Sequence, residues 1–140
     1  MDRTRVLIAD DNAQSAHRLG DSLPQERYLC EVASSGDKAL DVVRHLACDI
    51  VICDVRMAGT SEFELLAQIK NLRPRLPVII GSDRTSILEG IEAVKHGAFQ
   101  YLEKPFNNDD LLGFIVQATA NPGRGGGDAP TSKPAGFSQR

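Results

Sequence analysis

The sequence predicts a doubly wound α/β domain with a five-stranded parallel sheet, and three observations lead to this prediction. Short apolar runs alternate with amphipathic, helix-like stretches five times within residues 1–120. The runs at Ile50–Cys53 and Val78–Ile80 are continuously apolar, which is typical of strands buried on both faces of a parallel sheet. Strands that alternate regularly with helices imply right-handed crossovers between parallel neighbours.

Each element has its own signal. Asn12, Ser61 and Asn107 are placed to cap the first, third and fifth helices, and Glu64 would complete a capping box with Ser61. The turn at 34–37 precedes the second helix, and Gly97 is placed to end the fourth. The predicted strands are Val6–Ala9, Tyr28–Ala33, Asp49–Asp54, Val78–Gly81 and Phe99–Glu103. The apolar positions of the helices are Ala16, Leu19 and Leu23; Ala39, Leu40, Val43 and Leu46; Phe63, Leu66 and Ile69; Ile87, Leu88, Ile91 and Val94; and Leu111, Leu112, Ile115 and Val116.

Composition limits the possible functions. The length suits one domain, which we place at residues 1–120, and the Gly- and Pro-rich residues 121–140 are predicted to be a flexible tail or linker. A net charge of -3 argues against a broad basic face, so we expect no direct contact with nucleic acid. No apolar run approaches the roughly 20 residues that span a bilayer. Cys30, Cys48 and Cys53 lack metal-ligand spacing and predict buried thiols in the cytoplasm.

Polar residues collect where the predicted strands end. Asp10 and Asp11 follow the first strand, Asp54 ends the third, Ser82 follows the fourth and Lys104 follows the fifth. In a parallel sheet these ends meet at one edge, where ligands bind. Three converging carboxylates require a cation, and hard oxygen ligands suit Mg²⁺. Together with a lysine and a hydroxyl, they predict a phosphoryl-transfer site.

Four segments resemble the receiver domains of bacterial two-component response regulators. They are Val6–Asn12, Asp49–Met57, Pro77–Ser82 and Gly97–Phe106, and the similarity covers about residues 3–120. The last segment is most similar to receivers of the nitrogen-regulation type. The resemblance implies a flavodoxin- or CheY-like fold with strand order 2-1-3-4-5.

The resemblance also implies a role for each residue at this edge. Asp54 would accept a phosphoryl group, with Ser82 and Lys104 binding its oxygens. Asp11, Asp54 and the backbone carbonyl of Arg56 would ligate Mg²⁺, or Mn²⁺ in its place, and Asp10 would act through a metal-bound water.

Two further features follow from the same resemblance. The bond from Lys104 to Pro105 is expected to be cis. Tyr101 matches an aromatic position that would move between exposed and buried states together with Ser82. Without the resemblance, Tyr101 is simply an aromatic of an edge strand packed on the fourth helix, and both interpretations can hold.

The implied partners are a sensor histidine kinase or phosphotransfer protein and an output domain or protein. The output would contact the fourth helix, fifth strand and fifth helix, and the domain could form a phosphorylation-dependent dimer. We expect a switch rather than an enzyme with other substrates. A phosphohydrolase with an aspartyl nucleophile, a phosphorylation-independent adaptor, and the N-terminal piece of a longer regulator are the alternatives.

Several positions depart from the commonest family pattern. Ala58 and Glu62 stand where Pro and Gly are usual, and Gly81 stands where a larger residue is common. Asp83 follows Ser82 in place of Ala or Gly, and we expect it to cap the fourth helix. Arg56 and Arg84 flank the predicted site and are hypothesised to slow hydrolysis of the acyl phosphate. His17, His45 and His96 are expected on the surface or at helix ends.

Overall fold

Five strands alternate with five helices in the computed structural model, which describes residues 3–57, 63–83 and 87–120. The elements are β1 Thr4–Ala9, α1 Ala13–Ser22, β2 Tyr28–Ala33, α2 Gly36–His45, β3 Ile50–Asp54, α3 Glu64–Leu72, β4 Val78–Ser82, α4 Ile87–Lys95, β5 Gln100–Glu103 and α5 Asn108–Thr119. The predicted tail at 121–140 lies outside the described residues and stays a prediction.

The strands form one parallel sheet in the order β2-β1-β3-β4-β5, so the predicted fold and strand order are confirmed. The chain starts near the middle of the sheet, winds outward to β2 and then crosses β1 to reach β3. The order therefore reverses between β1 and β3. A reversal of strand order, or topological switch point, leaves a crevice at the carboxyl ends of the strands. Ligands bind in this crevice in folds of this kind.

Two apolar clusters cover the faces of the sheet. Alternate residues of β1 divide between them: Leu7 and Ala9 pack with α2, α3 and α4, whereas Val6 and Ile8 pack with α1 and α5. The same division holds along β3 and β4, because successive strand side chains point to opposite faces. Burial on both faces explains why these strands appear in the sequence as unbroken apolar runs.

The predicted caps of α1 and α5 are present. Asn12 accepts a hydrogen bond from the amide of Ser15 at 3.0 Å, and Asn107 accepts one from Asp110 at 3.0 Å. Ser35 caps α2 in the same way. Gly97 follows α4 with φ of 102°, and the amides of Gly97 and Ala98 donate to the carbonyls of Val94 and Ala93. This is the Schellman arrangement, which favours glycine because φ is positive.

The predicted start of α3 is wrong. The helix begins at Glu64, not near Ser61, so Glu64 is its first residue rather than the third after a cap. Ser61 itself lies outside the described residues. Phe63 precedes the helix with φ of 65°, is buried, and stacks on His96 with ring centroids 5.3 Å apart. Burying an aromatic side chain gains about 1.5–3 kcal/mol, against about 1 kcal/mol for a cap, so packing decides where the helix begins.

The apolar positions of α4 do not form a buried stripe. Ile87, Leu88, Ile91 and Val94 are 82%, 76%, 49% and 60% exposed. The helix instead packs on the sheet through small residues three apart: Ala93 is buried, and Gly90 lies against the ring of Tyr101. Leu46 and Val116, which the sequence pattern assigned to apolar stripes, are also exposed.

The histidine and cysteine side chains differ in their burial. His17, His45 and His96 are exposed, as expected. Cys48 and Cys53 are buried and Cys30 is half-buried; all three thiols are free. In the part of the chain that the structure describes, no helix has the length and apolar character needed to cross a bilayer.

Gly81 leaves room for an aromatic ring. A Cβ atom at this position would lie 2.5 Å from Cζ of Phe106, closer than such atoms approach in proteins. We therefore predict that Gly81→Ala lowers the free energy of unfolding by about 1–3 kcal/mol, measured by urea denaturation, because overpacking displaces the ring.

Gly113→Ala is the matched control, since nothing lies within 4 Å of a Cβ at that helical position. It should raise the stability by about 0.5–1 kcal/mol. A Gly81→Ala variant as stable as the wild type would contradict the assigned packing, and Gly81→Ala should cost less stability in a Phe106→Ala background than in the wild type.

Candidate phosphoryl-transfer site

Three carboxylates meet at the carboxyl edge of the sheet. One ligand oxygen each from Asp10, Asp11 and Asp54 lies within 4.8 Å of the other two. Asp10 is buried, Asp54 is half-buried and Asp11 is exposed, so the cluster opens to solvent on the side of Asp11. The spacing and the all-oxygen donor set are compatible with a hard divalent cation.

Lys104 supplies the positive charge of the site. Its Nζ lies 2.8 Å from Oδ2 of Asp10 and 3.6 Å from Oδ1 of Asp54. Burial lowers the pKa of Lys104, but the hydrogen bond to Asp10 and the charges of Asp54 and Asp10 outweigh burial and leave the pKa above its ordinary value. The ammonium group is therefore charged at neutral pH.

Asp54 is held in a less favourable environment. Burial is the largest influence on its pKa and raises it, and the carboxylates of Asp10 and Asp11 raise it further. The Lys104 ammonium lowers the pKa, as does the backbone amide of Arg56, which donates a hydrogen bond to the carboxylate. The net result is a pKa above the ordinary value. One lysine thus offsets only part of the repulsion among three acids.

Both oxygens of Asp10 already have partners. Oδ2 accepts the hydrogen bond from Lys104, and Oδ1 accepts one from the amide of Asn12 at 3.0 Å. Direct ligation of a cation by Asp10 would require it to share or give up one of these bonds. The expectation that Asp10 acts through a metal-bound water stays a prediction.

Strand pairing aligns the residues of the edge. Asp54 is opposite Gly81, and the amide of Val55 donates to the Gly81 carbonyl at 2.9 Å. The amide of Lys104 donates to the carbonyl of Ser82 at 2.8 Å. Ser82 is fully buried beside these strand ends. The peptide bond between Lys104 and Pro105 is cis, as predicted.

The residues around the pocket are only partly described. Asp83 is exposed and α4 is described from Ile87 onward, so the capping role of Asp83 stays a prediction. Ala58, Glu62 and Arg84 lie outside the described residues, and the hypothesis on acyl-phosphate lifetime stays open with them.

Glu89 contacts two of the predicted site residues and was not itself predicted from the sequence. Its carboxylate lies 3.9 Å from the Arg56 guanidinium through Oε2 and accepts a hydrogen bond from the Tyr101 hydroxyl through Oε1. Nothing in the sequence pattern separates Glu89 from Glu92 on the same helix. The available signal was the neighbouring Gly90, because an isolated glycine in a helix often marks a close approach by another group.

Comparison with known families identifies the fold. The family model described as "Response regulator receiver domain" matches residues 6–116. The chain belongs to the response-regulator receiver family. The strand-end residues Asp10, Asp11, Asp54, Ser82 and Lys104 all fall within the matched region.

The receiver domain has relatives among transcriptional regulators. It is 37% identical over 120 residues to the Escherichia coli transcriptional regulatory protein ZraR, covering 86% of this chain and 27% of that protein. It is 36% identical over 122 residues to the DNA-binding transcriptional regulator NtrC of Rhizobium meliloti, covering 85% and 25%. The predicted similarity to the nitrogen-regulation type is thus confirmed. The chain spans about a quarter of the length of these relatives.

Solved receiver structures have the same architecture. A CheY-like receiver domain protein from Methanospirillum hungatei superimposes with a TM-score of 0.80 at 25% identity, over 89% of this chain and 100% of that one. A Burkholderia pseudomallei response regulator with a phosphorylated aspartic acid, a calcium ion and citrate gives a TM-score of 0.74 at 25% identity, over 93% and 77%.

The raised pKa of Asp54 predicts a pH-dependent stability. A carboxyl whose pKa is higher in the folded than in the unfolded state stabilises the fold below the unfolded pKa, and this contribution is lost as pH rises through the folded pKa. Without divalent cations, Asp54→Asn should therefore be more stable than the wild type at pH 7. This advantage should disappear as the pH is lowered through the pKa of Asp54, in urea denaturation followed by circular dichroism.

Asp109→Asn is the control, because Asp109 is an exposed carboxylate in the first turn of α5 outside the cluster. Its effect should stay within about 0.5 kcal/mol at either pH. An Asp54→Asn variant less stable than the wild type at pH 7 would contradict the assigned electrostatics.

Proposed function

We propose that this receiver domain is a phosphorylation switch that accepts a phosphoryl group on Asp54 from the phosphohistidine of a sensor kinase or phosphotransfer protein in the cytoplasm. A carboxylate oxygen of Asp54 would form a bond to phosphorus as the P–N bond to the histidine breaks. The imidazole nitrogen keeps the electron pair and takes up a proton from solvent. The supporting observation is the carboxylate cluster with the Lys104 ammonium 3.6 Å from Asp54.

Lys104 and Ser82 would act on the phosphoryl oxygens. The ammonium already lies between Asp10 and Asp54, so it can offset new negative charge on Asp54 with little movement. The acyl phosphate carries about two negative charges, where the free carboxylate carries one, and it presents three acceptor oxygens. Ser82, joined to Lys104 through a backbone hydrogen bond, would turn its hydroxyl toward one of these oxygens.

The donor set fits a bound Mg²⁺ ion. Asp11, Asp54 and the backbone carbonyl of Arg56 would hold it, with Asp10 in the outer position that its hydrogen bonds to Lys104 and Asn12 favour. When bound, the ion supplies the positive charge that the three carboxylates and a phosphoryl group require beyond that of Lys104.

The output surface is proposed to be α4, β5 and α5. Ile87, Leu88, Ile91 and Val94 expose apolar side chains along α4, and contiguous apolar surface of this kind marks interaction sites. An output domain, a separate protein or a second receiver domain could bind there after Tyr101 and Ser82 change position. The regulator names of the relatives support a transcriptional output carried by another domain.

We infer that the domain acts on no other substrate. A phosphohydrolase of the aspartyl type would carry its nucleophile on β1 in an Asp-x-Asp arrangement, whereas the proposed acceptor ends β3. Turnover of phosphomonoesters would argue for that enzyme instead. A phosphorylation-independent adaptor would need none of the acid, hydroxyl and lysine set.

Acetyl phosphate tests the proposed acceptor directly. Intact-mass spectrometry of the protein with acetyl phosphate and Mg²⁺ should show one added phosphoryl group. The gain should be absent in Asp54→Ala and in wild-type protein treated with a chelator, and it should persist in Asp109→Asn. A wild type that gains no phosphoryl group, or an Asp54→Ala variant that still gains one, would refute the proposal.

A further inference from the structure

Glu89 contacts both the loop that follows β3 and the strand β5. It lies in the first turn of α4, and its side chain is only 11% exposed. One carboxylate oxygen is 3.9 Å from Nη2 of Arg56, in the loop that follows β3. The other accepts the hydrogen bond of the Tyr101 hydroxyl on β5. A single carboxylate therefore contacts the loop after the phosphoacceptor and the predicted switch residue.

Gly90 brings the Tyr101 ring close to the helix. A Cβ atom on Gly90 would lie 3.2 Å from Cδ2 of Tyr101, so the ring packs directly against the backbone of α4. This contact carries the hydroxyl to Glu89, one residue away. The ring is half-buried in this position and packs at the margin of the core cluster shared by α2, α3 and α4.

Arg56 completes a continuous path to the phosphoacceptor. Its backbone amide donates a hydrogen bond to the Asp54 carboxylate, while its guanidinium pairs with Glu89. The contacts therefore run from Asp54 through Arg56 and Glu89 to Tyr101. Each step is a hydrogen bond or an ion pair between described side chains or backbone groups.

We propose that Glu89 is a positioning residue that holds Tyr101 and Arg56 together in the unphosphorylated protein, and that a phosphoryl group on Asp54 loosens this link by attracting the Arg56 guanidinium. The second half rests on the proposed phosphoacceptor function. Tyr101 is then released from Glu89 because the carboxylate loses the ion pair that keeps it in place.

The strengths of the two pairings favour this exchange. The Arg56 side chain is 43% exposed and its Nη2 lies 3.9 Å from Glu89, so solvent screens this ion pair from the arginine side. A phosphoryl group carries about two charges, against one on the Glu89 carboxylate, and it can bind a guanidinium through two parallel hydrogen bonds. Because coupling between sites is reciprocal, a link that phosphorylation weakens must itself oppose phosphorylation.

Tyrosine labelling can report the link without any phosphorylation. The chain has two tyrosines, so protein labelled with 3-fluorotyrosine gives two ¹⁹F resonances. Tyr28 is buried in the other core cluster, with α1 and α5, and reports whether the fold is intact. Glu89→Ala should shift the Tyr101 resonance of the unmodified protein and leave that of Tyr28 in place. Glu92→Ala, an exposed glutamate three residues along α4, should shift neither.

The affinity for beryllofluoride, a phosphoryl analogue, tests the second half. In the presence of Mg²⁺, Glu89→Ala should bind it about fivefold more tightly than the wild type, at the lower end of couplings between sites. Glu92→Ala should differ from the wild type by less than about twofold. Glu89→Gln keeps the size of the side chain but removes its charge, and it should also bind the analogue more tightly.

The outcomes separate this inference from the proposed function. An unmoved Tyr101 resonance in Glu89→Ala, or an affinity equal to or weaker than that of the wild type, would overturn the role of Glu89. A wild type that does not bind beryllofluoride would refute the phosphoacceptor function and the second half with it, while the resonance still decides whether Glu89 holds Tyr101. If the Tyr28 resonance shows that Glu89→Ala is unfolded, the affinity of Glu89→Gln for beryllofluoride decides the role of Glu89, because the glutamine oxygen can still accept the Tyr101 hydrogen bond whereas its charge is lost.

Discussion

Repulsion among three carboxylates is the constraint around which the carboxyl edge of this domain is arranged. Their oxygens lie within 4.8 Å of one another, and one ammonium group stands among them. Lys104 directly follows β5, and the pairing of β5 with β4 fixes its position at this edge of the sheet. The edge therefore keeps unbalanced negative charge, which a cation can offset. Keeping Asp54 partly buried among these charges costs stability, as is common at functional sites.

The sheet and much of the site could be predicted because each depends on local patterns. Continuous apolar runs identify strands buried on both faces, and parallel strands necessarily bring their carboxyl ends to one edge. Asp10, Asp54 and Lys104 therefore had to approach one another once the alternation of strands and helices was recognised. Capping by Asn12 and Asn107 was predictable for a similar reason, since a cap contacts its own helix two or three residues away.

The misjudged features depend on tertiary packing. The start of α3 is set by burial of Phe63 against the end of α4, and no local rule contains that contact. Apolar residues along α4 predict a helix, but small residues, Gly90 and Ala93, are the ones that face the sheet. Glu89 resembles any helical surface acid until Arg56 and Tyr101 are placed beside it. Such contacts join residues far apart in the chain, and the sequence carries little sign of them.

The fit between Gly81 and Phe106 has a consequence for how this sequence can change over evolutionary time. The ring occupies the space that a side chain at position 81 would fill, so a larger residue at 81 requires the ring to lie elsewhere. Because a larger residue is common at this position in the family, the ring orientation seen here is a property of this chain and of relatives that also carry glycine at 81. An exchange at 81 during evolution would therefore move the aromatic side chain at 106 and, with it, the surface beside Lys104.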